Sequence, residues 1–309
     1  MGDRAIQTRG VTRRYGSVTA VDQVDLTVAR GEIYGFLGRN GAGKTTLIRL
    51  LLGLIRPTAG TVEVLGRPVA GPADRRPAPW SRVGYLVEDP GLYPDLTVLD
   101  HLRIAARYRG LDATAVTDIL TSLDLGRYAR SRARTLSTGN RQRLGLATAL
   151  IHRPELVILD EPANGLDPAG VVEVRDLLRA LADGGVTVFM SSHIIGEVSR
   201  LADRVGVIHE GALVAELSVD DLRALGRQRL VVAVSDPEHV DRADRALRAA
   251  GVVAEVAGTT LVCSEALAVG HPERVATLLV EAGAPPSHLA VEREDLEQHF
   301  LRLTGGEPS

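Results

Sequence analysis

The chain has 309 residues, 45% of them hydrophobic and 24% charged, with a formal net charge of −3, enough for one large domain or a domain with an appendage. A single cysteine, Cys263, excludes an intrachain disulfide framework and a cysteine-rich metal site, and the near-neutral charge argues against a nucleic-acid partner. No apolar run nears the roughly 20 residues of a membrane-spanning helix, and Met1-Gly2-Asp3-Arg4 leads into no apolar signal region, so a soluble cytoplasmic chain is expected.

In chain order, Val21–Val28 alternates as a strand. Ile33–Leu37 is a short apolar run that ends in the glycine-rich Gly38–Gly43, and helix-forming residues follow from Lys44 to Leu54. Gly60–Leu65 reads as a strand. Leu96–Arg109 and Ala115–Leu123 carry helical spacing, with Thr97 as N-cap and Asp100 three positions on. Leu156–Leu159 and, but for Thr187, Val186–Met190 are unbroken apolar runs, as expected of strands covered on both faces. Val205–Ile208 and Leu213–Ala215 read as a hairpin. This alternation of strands and helices predicts an α/β fold.

The pattern restarts near Leu230. Leu230–Val234 reads as strand, Glu238–Ala250 as helix, and Val252–Val256 and Thr260–Cys263 as strands. Arg274–Ala282 then reads as helix, Leu289–Glu292 as strand, and Leu296–Leu303 as helix. Strand-helix-strand-strand-helix-strand is the ferredoxin-like order. A boundary near Gly226 divides residues 1–225 from a small α/β appendage, 226–309.

Chemistry concentrates in two segments. Gly38-Arg39-Asn40-Gly41-Ala42-Gly43-Lys44-Thr45 fits the phosphate-binding loop pattern between a strand and a helix. Its glycines let backbone N–H groups curl around phosphate oxygens, and the helix N-terminus adds a favourable dipole. Lys44 reaches the β- and γ-phosphates, the Thr45 hydroxyl ligates Mg²⁺, and Thr46 completes the nucleotide-binding set. Lys44 is also the one lysine among 36 Lys and Arg, at a place where a compact ammonium suits better than a guanidinium fork. The second segment, Leu156-Val157-Ile158-Leu159-Asp160-Glu161, is a buried strand ending in two carboxylates. Asp160 there holds Mg²⁺, and Glu161 is the candidate general base.

Leu136-Ser137-Thr138-Gly139-Asn140 resembles the signature sequence of the ABC ATPase family, usually Leu-Ser-Gly-Gly-Gln. The motif order is also the family's: phosphate loop, signature, acidic strand, Gly165-Leu166-Asp167, then His193. The resemblance runs from about Ala5 to Leu217. It implies a P-loop NTPase core with a helical subdomain at about 90–152, and ATP and Mg²⁺ as ligands. By this resemblance Tyr15 stacks on adenine and His193 senses the γ-phosphate. Ser137 and Gly139 contact a γ-phosphate held by a second subunit, and Asp167 knits that interface, so the chain is expected to work as a homodimer.

Three residues depart from the family pattern. Thr138 replaces a glycine, Asn140 shortens a glutamine, and Glu88 stands where glutamine is usual. By the resemblance Glu88 keeps an oxygen facing Mg²⁺ and the attacking water, as a further metal-binding and catalytic residue, but adds a negative charge. Glu88, Leu-Ser-Thr-Gly and Ser191-Ser192-His193-Ile194 together resemble exporters for bacitracin resistance and lantibiotic self-immunity. The tail Leu296–Gly305 resembles the ending of drug and polymer exporter subunits. The expectation is an ATP-hydrolysing subunit of an export transporter for antibiotic, peptide or lipid-like cargo. An ABC-2-type integral membrane permease would hold it at the inner face of the cell membrane, with the surface around Leu92 and Tyr93 receiving that partner. The alternative is a soluble ABC ATPase acting as a regulatory switch or on ribosomes or DNA. The Gly- and Pro-containing stretch Leu65–Arg134 lacks the sustained heptads that a chromosome ATPase would need.

Overall fold

The computed structural model describes residues 4–69, 79–88, 90–221 and 228–293. The chain forms two compact units, Met1–Val219 and Asp220–Ser309. Gly226 and the tail Leu296–Gly305, including the helix expected there, lie outside the described residues.

The first unit opens with β1 (Arg4–Tyr15), β2 (Val18–Ala29), β3 (Ile33–Leu37), α1 (Lys44–Leu51), β4 (Ala59–Val64) and β5 (Arg67–Pro68). Next come β6 (Val83–Leu86), α2 (Val98–Tyr108), α3 (Ala113–Ser122) and α4 (Thr138–Leu150). It closes with β7 (Leu156–Leu159), α5 (Pro168–Asp183), β8 (Thr187–Ser192), α6 (Ile195–Val198), β9 (Arg204–His209) and β10 (Ala212–Ser218). One sheet has the order β2-β1-β4-β5 and the other β10-β9-β3-β8-β7-β6. In the second, β9, β3, β8, β7 and β6 run parallel, with β10 antiparallel at one edge.

Every residue of β3, β7 and β8 is buried, which is why β3 and β7 and the Val188–Met190 centre of β8 read as apolar runs rather than alternations. Tyr34 stacks on Phe189 with ring centroids 5.7 Å apart, and Phe36 tilts against the same ring at 5.6 Å. These aromatics join the strands that carry the phosphate loop and His193 into one core. Thr97 and Asp100 form a reciprocal capping box at the start of α2, satisfying two helix-end donors. Gly84 lets α4 lie close to β6: a Cβ there would come within 2.2 Å of the Ala149 carbonyl oxygen.

The second unit contains β11 (Gln228–Val234), α7 (Pro237–Ala249), β12 (Ala254–Ala257), β13 (Thr260–Cys263), α8 (Ala266–Gly270), α9 (Pro272–Glu281) and β14 (Pro286–Arg293). Its antiparallel sheet has the order β12-β13-β11-β14, so β13 sits between the two strands joined by α7, a split βαβ arrangement. Leu230, Val232, Leu247, Leu261 and Leu279 build its own core. The single-turn helix α8 had no counterpart in the sequence reading, being too short for helical periodicity to register.

Candidate nucleotide-binding site

The loops after β3, β8, β7 and β6 emerge at the same, C-terminal edge of the parallel strands, where open α/β sheets bind ligands. The β3 loop wraps Gly38–Gly43 into α1. Gly43 has φ +110°, and a Cβ on it would come within 2.4 Å of the Ala20 carbonyl oxygen. Gly38 is equally confined, since a Cβ there would meet Ile208 at 2.7 Å. Both positions therefore require glycine. Asn40 and Gly41 are exposed, Ala42 is buried, and Thr46 is half-buried. No side chain caps α1 and no acidic residue sits in its first turn, so its amide donors and positive dipole end face the loop.

Lys44 is buried, at 6% exposure. Its Nζ donates to the carbonyl oxygens of Gly38 at 2.7 Å and Arg39 at 3.3 Å, and lies 3.2 Å from Oε1 of Glu161. The Thr45 hydroxyl donates to Oδ2 of Asp160 at 2.7 Å. Ser191, from β8, donates its hydroxyl to Oδ1 of Asp160 at 2.6 Å and accepts the Glu161 N–H at 3.0 Å. Oε2 of Glu161 lies 2.8 Å from Nδ1 of His193. The fold thus brings Lys44, Thr45, Asp160, Glu161 and His193 into one linked group. Glu88 stands slightly apart, half-exposed, with its carboxylate 2.5 Å from the Arg49 guanidinium of α1.

Tyr15 ends β1 and pairs with Val18, two residues before the Ala20 carbonyl that abuts Gly43. The hairpin that Tyr15 closes thus borders the phosphate loop through Ala20. Its ring is 43% exposed and has the Arg13 guanidinium 4.5 Å from its centroid.

Ser137 caps α4, its hydroxyl accepting the Asn140 N–H at 3.3 Å. Ser137 and Thr138 are exposed at the helix start, with Gly139 half-buried beside them. Asp167 caps α5 through Gly170 N–H at 2.9 Å, followed by Pro168 at a favoured first-turn position. These local roles explain the side-chain types without a partner. Two residues to which the sequence assigns no role in the site organise it. Ser191 clamps both acidic residues, and buried Gln142 of α4 donates to the Pro162 carbonyl oxygen at 3.0 Å. Neither stands in a chemically suggestive spacing, so only the fold reveals them.

Oxygen donors from Thr45 and Asp160, beside a loop in which Gly38 and Gly43 have no room for a Cβ, suit a hard cation carried in by a polyphosphate, since Mg²⁺ commonly takes one or two protein oxygens and completes its shell with phosphates and water.

Residues 21–164 match the family model described as ABC transporter. The chain is 39% identical over 311 residues to the bacitracin transport ATP-binding protein BcrA of Bacillus licheniformis, covering 97% of each chain. It is 37% identical over 310 residues to the daunorubicin resistance ATP-binding protein DrrA3 of Streptomyces coeruleorubidus, covering 99% of this chain and 97% of that one. Among solved structures, a dimeric ATP-binding cassette in a post-hydrolysis state with ADP and Pi aligns with TM-score 0.63 at 25% identity, over 69% of this chain and 98% of that one. The chain belongs to the ABC transporter family, as one of its ATP-binding, ATP-hydrolysing subunits.

Proposed function

We propose that this subunit powers export of an antibiotic, peptide or lipid-like compound through separate ABC-2-type permease subunits, working as a homodimer at the inner face of the cell membrane. The observation that carries the reading is the placement of Glu161 between Lys44 and His193, beside the Thr45–Asp160 pair. Phosphate in the loop would exchange with the carbonyl oxygens now bound by Lys44. Thr45 and Asp160 would hold Mg²⁺, which when bound neutralises charge developing on the transferred phosphoryl group. Glu161 would accept the proton of the water attacking the γ-phosphorus. His193 would fix the direction of that carboxylate. Tyr15 would stack on the adenine.

Ser137, exposed at the start of α4, and half-buried Gly139 next to it support a second role: contact with nucleotide held by the other copy. Asp167 on the adjoining loop would face the same interface, and each site would need both subunits. No helix among the described residues is long and apolar enough to cross a membrane. An apolar groove of about 430 Å³ runs between the β6 end and α2, lined by Tyr85, Leu92, Tyr93, Ile104 and Tyr108. Tyr93 and Tyr108 are 66% and 87% exposed, unusual for large apolar rings and typical of an interaction surface. This groove supports docking of a permease helix.

The test is co-expression with a permease encoded beside it. Co-purification, with loss of the complex on Tyr108→Glu and Ile104→Glu, is expected. Recovery with ribosomes or DNA instead would favour the soluble-switch reading.

A further inference from the structure

The helix α1 presents two cations to two different carboxylates. Lys44, at its first position, pairs with Glu161, and Arg49 pairs with Glu88. Between them Thr45, one turn before Arg49 on the same helix face, bonds Asp160. The glutamates occupy matching places on neighbouring strands. Leu86 of β6 lies opposite Leu159 of parallel β7, and Glu88 and Glu161 each follow two residues beyond. Both have left-handed backbones, with φ +57° and +49°. Non-glycine residues adopt that region at a cost, and such strain gathers at functional positions.

We propose that Arg49 is a positioning residue for the nucleotide site: it balances the charge of Glu88 and sets how strongly that carboxylate draws Mg²⁺. The inference rests on reading the site as one for ATP and Mg²⁺. A neutral amide at position 88 would need no cation. A carboxylate there adds a third negative group to the sheet edge that carries Asp160 and Glu161. The Arg49 guanidinium offsets that charge through its contact with the carboxylate. The pair is also open to solvent, with 38% of the Arg49 and 57% of the Glu88 side chain exposed. Exposed pairs are weak, so a divalent ion can compete for the carboxylate, which a buried pair would prevent. Arg49 therefore tunes Glu88 rather than locking it away.

The experiment is a Mg²⁺ titration of trinitrophenyl-ATP binding by the full-length chain, read by fluorescence, with ATP turnover measured in parallel. Arg49→Gln is expected to lower the half-saturating Mg²⁺ concentration about two- to fivefold, the range of an exposed charge pair. Arg49→Lys should stay near wild type. In a Glu88→Gln background, Arg49→Gln should leave the half-saturation unchanged. An equal shift with and without Glu88, or no shift in either background, overturns the proposal. Lys44→Ala separates this failure from failure of the site reading: normal analogue binding by that variant would remove the nucleotide site itself. Melting without nucleotide identifies any variant whose shift comes from misfolding.

Discussion

Ser191 donates its hydroxyl to Asp160 while accepting the backbone N–H of Glu161, so one side chain from β8 orients both acidic residues at the end of β7. Ser191 is fully buried. Ser191→Ala is expected to leave an amide and a carboxylate oxygen short of a partner, costing about 1–3 kcal/mol. Lower melting temperature should come with slower turnover but retained nucleotide binding. Wild-type turnover in this variant would show that Asp160 and Glu161 need no such clamp.

Glu161→Gln keeps the shape of the side chain and removes its basicity. ATP turnover should fall about 10²-fold or more, while the nucleotide still binds and still drives two copies together, as read by light scattering. Unchanged hydrolysis would remove Glu161 as the base.

Gly165 has φ +73°, and a Cβ there would lie 2.9 Å from Cγ2 of Thr138. The residue that replaces glycine in the signature thus packs its methyl against a glycine in the loop before Asp167. Gly165→Ala should be destabilising by roughly 1–3 kcal/mol through backbone strain and this clash. Adding Thr138→Gly should recover the clash portion only. Strictly additive melting shifts in the double variant would show that the two positions do not touch.

Cys263 is buried in the second unit, and burial pushes its thiol up to about 11. The neutral thiol should resist alkylation in the native protein at pH 8 and react at once after denaturation, as mass spectrometry would show. The sign of the pH effect follows from linkage. Above the ordinary thiol value of 9.0 the unfolded chain loses this proton before the native one does, so stability falls as pH rises from there towards about 11. Cys263→Ala should flatten that slope; an unaltered slope would assign it to other groups.

The nucleotide machinery was legible because its chemistry is local in sequence. The glycine spacing before Lys44 and the apolar run before Asp160 each encode strand, turn and function in under ten residues. The first strand was harder to read. The register of β1 against β2 shifts between Thr8 and Val11, and such irregularity breaks the two-residue alternation that marks a strand. The four residues of β6 are too few to show a period, and Gly84 within it answers to α4 packing. Contacts between distant segments were invisible for a different reason. Arg49 and Glu88 are 39 positions apart, and nothing in either neighbourhood names the other. The strand order of the second unit was accessible because its six main elements are short, regular and separated by turns.

The burial of Lys44 reaches beyond nucleotide chemistry. Because the chain has no other lysine, every other cationic side chain outside histidine is a guanidinium, and its folded surface offers amine-directed chemistry almost no lysine handle. Lysine-linked acetylation and tagging converge on one atom lodged under the phosphate loop. Modification of Lys44 in the native protein would therefore report opening of that loop, and bound nucleotide would shield it.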